Sequence, residues 1–146
     1  MTTTDRDRDD DGRAKQARPR DALGRPLPYG AVGVEPVSEE PLPPLETLTA
    51  ARALLDDGRP FSAHEVLEAR WKDCPEPERP LWQGLAQLCV GVTHARRGNP
   101  TGARRLLDRA TTHLTAYAGT GGPTYRLDLD EVLDRARRCV ETAVPE

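Results

Sequence analysis

The chain has 146 residues, a formal net charge of -3 at pH 7, and a composition that is 31% charged but only 4% aromatic. This length predicts one domain, and the small negative charge gives no reason to expect nucleic acid or an anionic membrane as a partner. No apolar run reaches the length of a membrane span, and the charged N-terminus predicts no secretory signal. Three cysteines without close pairing indicate reduced thiols in a cytoplasmic protein.

Residues 1–44 are predicted to form a disordered or loosely attached tail, followed by a helical domain over residues 45–146. The first twenty residues mix Asp and Arg, and the stretch from Leu23 to Pro44 is rich in Pro and Gly. Such a sequence buries too little apolar surface to offset the entropy that ordering costs. Five apolar side chains can still anchor an extended segment on the domain: Leu23, Leu27, Tyr29, Val32 and Val34.

Apolar residues at three- and four-residue spacing predict helices, and no stretch alternates for long enough to predict a sheet. The predicted helices run from Leu45 to Asp57, Ser62 to Lys72, Pro80 to Arg97, Pro100 to Ala118 and Leu129 to Ala143. Ser62 with Glu65, and Asp128 with Glu131, have the spacing of capping boxes. Gly98-Asn99-Pro100 is typical of a helix stop and restart. The sequence therefore predicts an all-α, compact bundle of about five helices with an N-terminal tail.

The third predicted helix has no charged residue between positions 81 and 95, although nearly a third of the chain is charged. It still carries Gln83, Gln87 and His94, which fall within an arc of about 40° on a helical wheel. Buried polar side chains need hydrogen-bond partners. The absence of charge therefore indicates that these three groups face the interior. His113, alone near the end of the fourth helix, is interpreted as a surface residue or one that interacts with the helix dipole.

A metal site is one hypothesis for these polar residues. His64 and Glu68 project from the same face of the second helix, and His94 would add a third ligand to a divalent ion from the third helix. Such an ion would lower the pKa of a bound water, and Glu65 or Glu68 would act as the catalytic base.

The same hypothesis gives the neighbouring residues roles in a pocket. Trp71 would form its wall, and Gln83 and Gln87 would line it, with Gln87 holding a substrate oxygen or orienting a ligand. The substrate and the identity of the metal are not readable from the sequence.

Four motifs carry a family resemblance: Gly58-Arg59-Pro60-Phe61; His64-Glu65-Val66-Leu67-Glu68 with Trp71; Gln83-Gly84-Leu85-Ala86-Gln87 with His94; and Arg97-Gly98-Asn99 with Gly102-Ala103. In combination they resemble the prokaryotic domain-of-unknown-function family numbered 309. The resemblance covers residues 45–118 closely, and the stretch from Asp21 to Val34 is similar to extensions on some members. It implies a compact helical protein of a family described as predicted metal-dependent hydrolases. The motif here is His-Glu-x-x-Glu, without the second His of zinc proteases.

Two non-enzymatic hypotheses stay open beside the hydrolase. In the first, His64, Glu68, Gln87 and His94 form a buried hydrogen-bond network that fixes the register of two helices. In the second, the third and fourth helices form a tetratricopeptide-like hairpin, and the domain is an adaptor that binds a protein or peptide partner or a further copy of itself.

Overall fold

The computed structural model of the protein describes residues 19–28 and 32–143. Within these ranges the chain forms five α-helices and one short 3-10 helix, with no strand beyond isolated bridges, so the predicted all-α bundle is confirmed. The helices are α1 (Pro44–Asp56), α2 (Pro60–Asp73), α3 (Arg79–Arg96), α4 (Pro100–Thr120) and α5 (Leu129–Ala143), and the 3-10 helix is Glu76–Glu78.

Helix α3 occupies the centre of the bundle and packs against α2, α4 and α5. Its uncharged run explains this position, because apolar residues surround most of the helix. Leu81 and Trp82 are fully buried there, and they meet Leu114 and Tyr117 of α4 in one core. No helix in the described part of the chain is both long and apolar enough to cross a bilayer.

The start of α2 differs from the sequence prediction. The helix begins at Pro60, so Ser62 lies inside its first turn and the predicted Ser62–Glu65 capping box is wrong. Proline at the first helical position has its φ already set to the helical value, which moves the start two residues earlier. The Ser62 hydroxyl accepts a hydrogen bond from Arg59 Nη2 at 3.2 Å instead.

The predicted starts of α4 and α5 are confirmed, while α1 and α3 begin one residue earlier than predicted. Asn99 Oδ1 accepts from the backbone N–H of Gly102 at 3.0 Å, and Asp128 Oδ1 accepts from that of Glu131 at 3.2 Å. Gly98 has the positive φ, 81°, that the preceding helix stop requires. These caps fix the corner between α3 and α4 and the start of α5.

The two glycines of α3 have different surroundings and should respond differently to substitution. A Cβ at Gly84 would lie 2.7 Å from Cγ of the fully buried Leu114, whereas a Cβ at Gly91 would make only ordinary contacts. We expect Gly84→Ala to lower the free energy of unfolding by about 1–3 kcal/mol through overpacking. Gly91→Ala, the matched control, should be neutral or stabilising by up to about 1 kcal/mol, the gain in helix propensity. Urea denaturation of both variants measures the difference, and equal effects would contradict the close approach of α3 and α4.

Candidate functional site

The predicted pair on α2 is formed. His64 Nε2 and Glu68 Oε2 are 2.7 Å apart, and the other carboxylate oxygen accepts from Lys72 Nζ at 2.9 Å. One helical turn separates each neighbour, so the three side chains make a ladder along one face of the helix. Glu65, the second predicted catalytic carboxylate, lies half-buried on the same helix.

Both ring nitrogens of His64 face acceptors. Nδ1 lies 3.2 Å from the carbonyl oxygen of Phe61, and Nε2 lies against the Glu68 carboxylate. Only the doubly protonated imidazolium can donate to both oxygens. The hydrogen bond from His64, helped by Lys72 and opposed by burial, lowers the pKa of Glu68 to about 2. Glu68 is therefore ionised, and it forms an ion pair with Lys72 beside its contact with the His64 ring.

The depressed pKa of Glu68 predicts a specific pH dependence of stability. The folded pKa, about 2, lies below the reference value of 4.5. The stabilisation is therefore fully present above about pH 4.5 and is lost as the pH falls towards 2. We expect Glu68→Gln to lower Tm at pH 7, and the difference from wild type to shrink across this window. Thermal unfolding from pH 7 to 2.5 measures this difference in Tm.

The control is Asp134→Asn, at a side chain that is 64% exposed, which should leave the pH profile of Tm unchanged. A difference in Tm between Glu68→Gln and wild type that stays constant with pH would contradict the ion pair.

His94, the third predicted metal ligand, belongs to a separate hydrogen-bonded arrangement at the end of α3. Its Nδ1 accepts from Asn99 Nδ2 at 3.3 Å, while the same Asn99 side chain caps α4 through its oxygen. Burial, with a contribution from Arg97, lowers the pKa of His94 and favours this neutral ring. A Cβ at Gly102 would lie 2.5 Å from Asn99 Nδ2. The motif from His94 to Gly102 thus builds the corner between α3 and α4.

The predicted pocket residues on α3 also have other partners. His113 Nδ1 donates to Gln87 Oε1 at 2.8 Å, so His113, interpreted from the sequence as a surface or helix-dipole residue, is a half-buried partner of α3. Gln83 lies half-buried one turn before Gln87. Trp71 packs at the edge of the core, with the Arg79 guanidinium 5.6 Å from its ring centroid.

The structure therefore does not bring the predicted ligand set together. Across residues 19–28 and 32–143, no three His, Cys, Asp or Glu side chains are grouped closely enough to hold a metal ion. The hydrogen bonds of His64, Gln87 and His94 go to three separate partners, so the four-residue network joining the two helices is absent as well. What remains of the predicted site is the pair His64–Glu68.

A different arrangement appears beside this pair, made by residues 19–28 and 32–35, which we call the N-terminal segment. Asp21 organises it: Oδ1 accepts from the backbone N–H of Leu23 at 3.0 Å and of Arg25 at 2.9 Å, and Oδ2 accepts from Arg25 Nε at 2.8 Å. Arg20 Nη1 donates to the carbonyl of Gly24 at 2.7 Å. The segment is therefore an Asx turn held by its own side chains.

This turn is closed by main-chain bonds at its base. The N–H of Leu27 donates to the carbonyl of Pro19, and the N–H of Val34 donates to that of Arg20, each at 2.8 Å. The expected apolar anchoring does not extend to Val32, which is 96% exposed, and Tyr29 lies outside the described residues. Leu23, Leu27 and Val34 are half-buried, and polar contacts and a glycine add to them.

The N-terminal segment is seated on Phe61, the second residue of α2. Gly24 is buried against the ring so closely that a Cβ there would lie 2.2 Å from its Cγ. The guanidinium carbons of Arg20 and Arg97 each lie 6.0 Å from the ring centroid, within the range of a cation–π contact. Arg97 Nη2 also donates to the carbonyl of Leu23. One aromatic ring and two cations thus hold a turn that lacks a side chain at the contact point.

A second arginine of the domain extends this contact. Arg59, just before α2, donates through Nη2 to the carbonyl of Glu35 as well as to Ser62. We call Arg59, Phe61 and Arg97 the Phe61 face. Burial, with repulsion from Arg25 and Arg20, lowers the pKa of Arg97. The two segment arginines therefore lie near the face, and its guanidinium groups bind carbonyl oxygens of the segment.

Sequence reasoning also missed a buried carboxylate. Glu78 is 8% exposed, and its Oε1 accepts from Tyr125 Oη at 2.7 Å and Trp82 Nε1 at 3.2 Å, with Arg70 Nη2 4.0 Å away. Burial and the bond to Glu78 raise the pKa of Tyr125 to about 12. Tyr125 and Arg126 both have positive φ, 52° and 70°, a costly conformation for residues with a Cβ. Glu78 thus ties the connection before α5 to the base of α3.

Fold and site together define a small all-α domain that carries an extended segment on one face. Residues 48–106 match the family described as "Domain of unknown function (DUF309)", which confirms the resemblance seen in the motifs. The uncharacterized protein YpuF of Bacillus subtilis (strain 168) is 42% identical over 57 residues, which cover 38% of this chain and 33% of the relative. The alignment thus spans a third of the relative's length. No solved structure matches the chain.

Proposed function

We propose that this domain is a non-enzymatic helical adaptor that binds an extended protein segment on the Phe61 face. The observation that supports this function is the N-terminal segment itself, which the face holds through two carbonyl oxygens and a buried glycine. Every protein segment has main-chain acceptors, so such contacts provide affinity, while the requirement for glycine against Phe61 provides selectivity. A segment of another protein with the same turn satisfies both conditions.

The contacts are few, and they define the expected affinity. Cation–π contacts at exposed sites contribute about 0.5–1 kcal/mol each, and hydrogen bonds about 0.5–1.5 kcal/mol each. Two of each kind correspond to a dissociation constant on the order of 1 mM for a free segment. In the full chain the tether supplies an effective concentration in the millimolar range. The face is therefore partly protected by its own segment and selective for a partner that binds more tightly.

NMR titration tests this function in the full chain. The probe is a peptide of residues 19–35, and the receptor is the Gly24→Ala protein, whose own segment cannot seat against Phe61. We expect saturable shifts at the amides of residues 59, 61–64 and 94–97, with an apparent affinity several-fold tighter than for wild type, where the cis segment competes. The matched control is the same peptide with Ala in place of Gly24, which should not bind. Equal shifts from both peptides, or none from either, would contradict the proposed function.

A metal-dependent hydrolase is the second candidate, and the His64–Glu68 pair is the observation that favours it. Two ligand atoms on one tetrahedral zinc lie about 3.3 Å apart, so an ion would have to open the 2.7 Å contact between Nε2 and Oε2. The adaptor function predicts that zinc, manganese and nickel change the Tm of the wild-type protein no more than they change the Tm of His64→Ala. A stabilisation by one metal that His64→Ala abolishes would support the hydrolase instead.

A further inference from the structure

The N-terminal segment has the construction of a transferable ligand. Its internal hydrogen bonds, centred on Asp21 and Arg20, connect only residues of the segment. Its contacts with the helical domain converge on the three side chains of the Phe61 face. The internal bonds favour the seated conformation in the free segment without holding it there permanently, which lowers the entropy cost of docking.

A short tether joins this ligand to the domain. Thr47 Oγ1 donates to the carbonyls of Leu42 and Pro43, which fixes the end of the tether on α1. Between Glu35 and Leu42 most residues are exposed, and Pro36 and Pro41 favour an extended chain. The six residues between these anchors span up to about 20 Å when extended. A domain of about 100 residues has a radius of gyration of about 13 Å, so the extended tether is longer than that radius.

Resting on the proposed adaptor function, we infer that the partner on the Phe61 face is a second copy of this chain, which inserts its own N-terminal segment in trans. The complementarity required is already present in cis: Gly24 against Phe61, the Leu23 carbonyl on Arg97 and the Glu35 carbonyl on Arg59. Exchange of an identical element between protomers needs no new contact, only a hinge of sufficient length. Docking in trans is expected to appear where cis docking is prevented or the chain is concentrated.

Two full-chain variants with complementary defects isolate the trans contact. Gly24→Ala keeps the face and disables the segment, because the added Cβ would meet the Phe61 ring. Phe61→Ala keeps the segment and disables the face. If Phe61→Ala does not fold, Arg97→Ala serves in its place, because Arg97 is exposed at the end of α3 and removing it deletes the bond to Leu23.

The experiment titrates unlabelled Phe61→Ala protein into ¹⁵N-labelled Gly24→Ala protein at concentrations up to about 1 mM, the affinity expected of the isolated contact. We expect the same amide shifts that the residue 19–35 peptide causes, together with slower tumbling of the labelled chain. Unlabelled Gly24→Ala protein added in the same way should cause neither. If the peptide shifts the labelled protein and the Phe61→Ala chain does not, the second-copy inference is overturned and the adaptor function stands. If the peptide also fails, the proposed function itself is wrong.

Discussion

Replacing Glu78 with Ala is expected to lower the free energy of unfolding by about 2–5 kcal/mol. The substitution leaves the Trp82 N–H and the Tyr125 hydroxyl without their acceptor and the half-buried Arg70 without its carboxylate. Orphaned buried donors cost about 1–3 kcal/mol each, and breaking a buried charge pair costs about 3–5 kcal/mol. Arg70 also lies 5.4 Å from the Trp82 ring centroid, so its charge stays in the core region.

Urea denaturation at pH 7 measures this loss. Glu76→Ala is the matched control, because Glu76 lies on the same short 3-10 helix with a side chain that is 83% exposed, and its replacement should change stability by less than about 0.5 kcal/mol. Glu78→Gln keeps one acceptor oxygen, so its loss of unfolding free energy should fall between the losses of Glu78→Ala and Glu76→Ala. A loss for Glu78→Ala no larger than that of the control would show that the carboxylate does not hold the α5 connection in place.

Replacing Gly24 with Ala is expected to release the N-terminal segment without unfolding the helices. Gly24 has φ +77°, and the added Cβ would overlap the Phe61 ring. An isolated two-stranded hairpin is at best marginally stable in water. The main-chain hydrogen bonds of a released segment should therefore open more often and protect its amides less from hydrogen exchange. Since the cis contact is only partly occupied at a millimolar effective concentration, we expect hydrogen exchange at the amides of Leu27 and Val34 to accelerate by about two- to fivefold, while the amides of α3 keep their rates.

The matched control for this variant is Gly58→Ala. Gly58 also has a positive φ, +73°, but a Cβ there would meet nothing within 4 Å. Its replacement carries the same backbone strain without the collision with Phe61. Faster exchange of the N-terminal segment in Gly58→Ala would mean that strain alone disturbs it, and unchanged exchange in Gly24→Ala would mean that the glycine contact does not hold it.

The architecture was readable from the sequence because it depends on local signals. Periodic apolar residues and the punctuation at Gly98, Asn99 and Asp128 act within one or two turns of a helix. The error at the start of α2 has the same local origin, since Pro60 and Ser62 both signal a helix start and the proline was decisive. The central position of α3 follows from its uncharged run, a property that needs no knowledge of its neighbours.

The candidate site was only partly readable, because its members come from distant parts of the chain. The pair His64–Glu68 is one turn of helix and was predicted. The partner of Gln87, His113, lies 26 positions away on α4, and this contact depends on how the two helices rotate against each other, which the pattern of apolar residues does not define closely enough. Glu78 and Tyr125 are 47 residues apart, and the short connection around Glu78 has no periodic signal.

The N-terminal segment shows the same limit in another form. Its apolar side chains suggested anchoring, and Asp21 with Gly24 has the chemistry of a turn. The contact that seats it combines a residue without a side chain, carbonyl oxygens and three domain residues that lie from 24 to 74 positions away from their partners. No composition rule detects such a contact, since the segment takes part in it through two carbonyl oxygens and a glycine, which are main-chain features.

The affinity of the residue 19–35 peptide for the Gly24→Ala protein, with and without the additional change Phe61→Ala, tests the central claim most directly. The account predicts saturable binding on the order of 1 mM or tighter to the first protein, and a loss of at least about tenfold when the aromatic ring is removed. Both proteins must show the amide spectrum of folded α3 and α4, so that the loss is one of recognition. Equal affinity for the two proteins would show that the peptide does not recognise the Phe61 face, and the adaptor function would have to be abandoned.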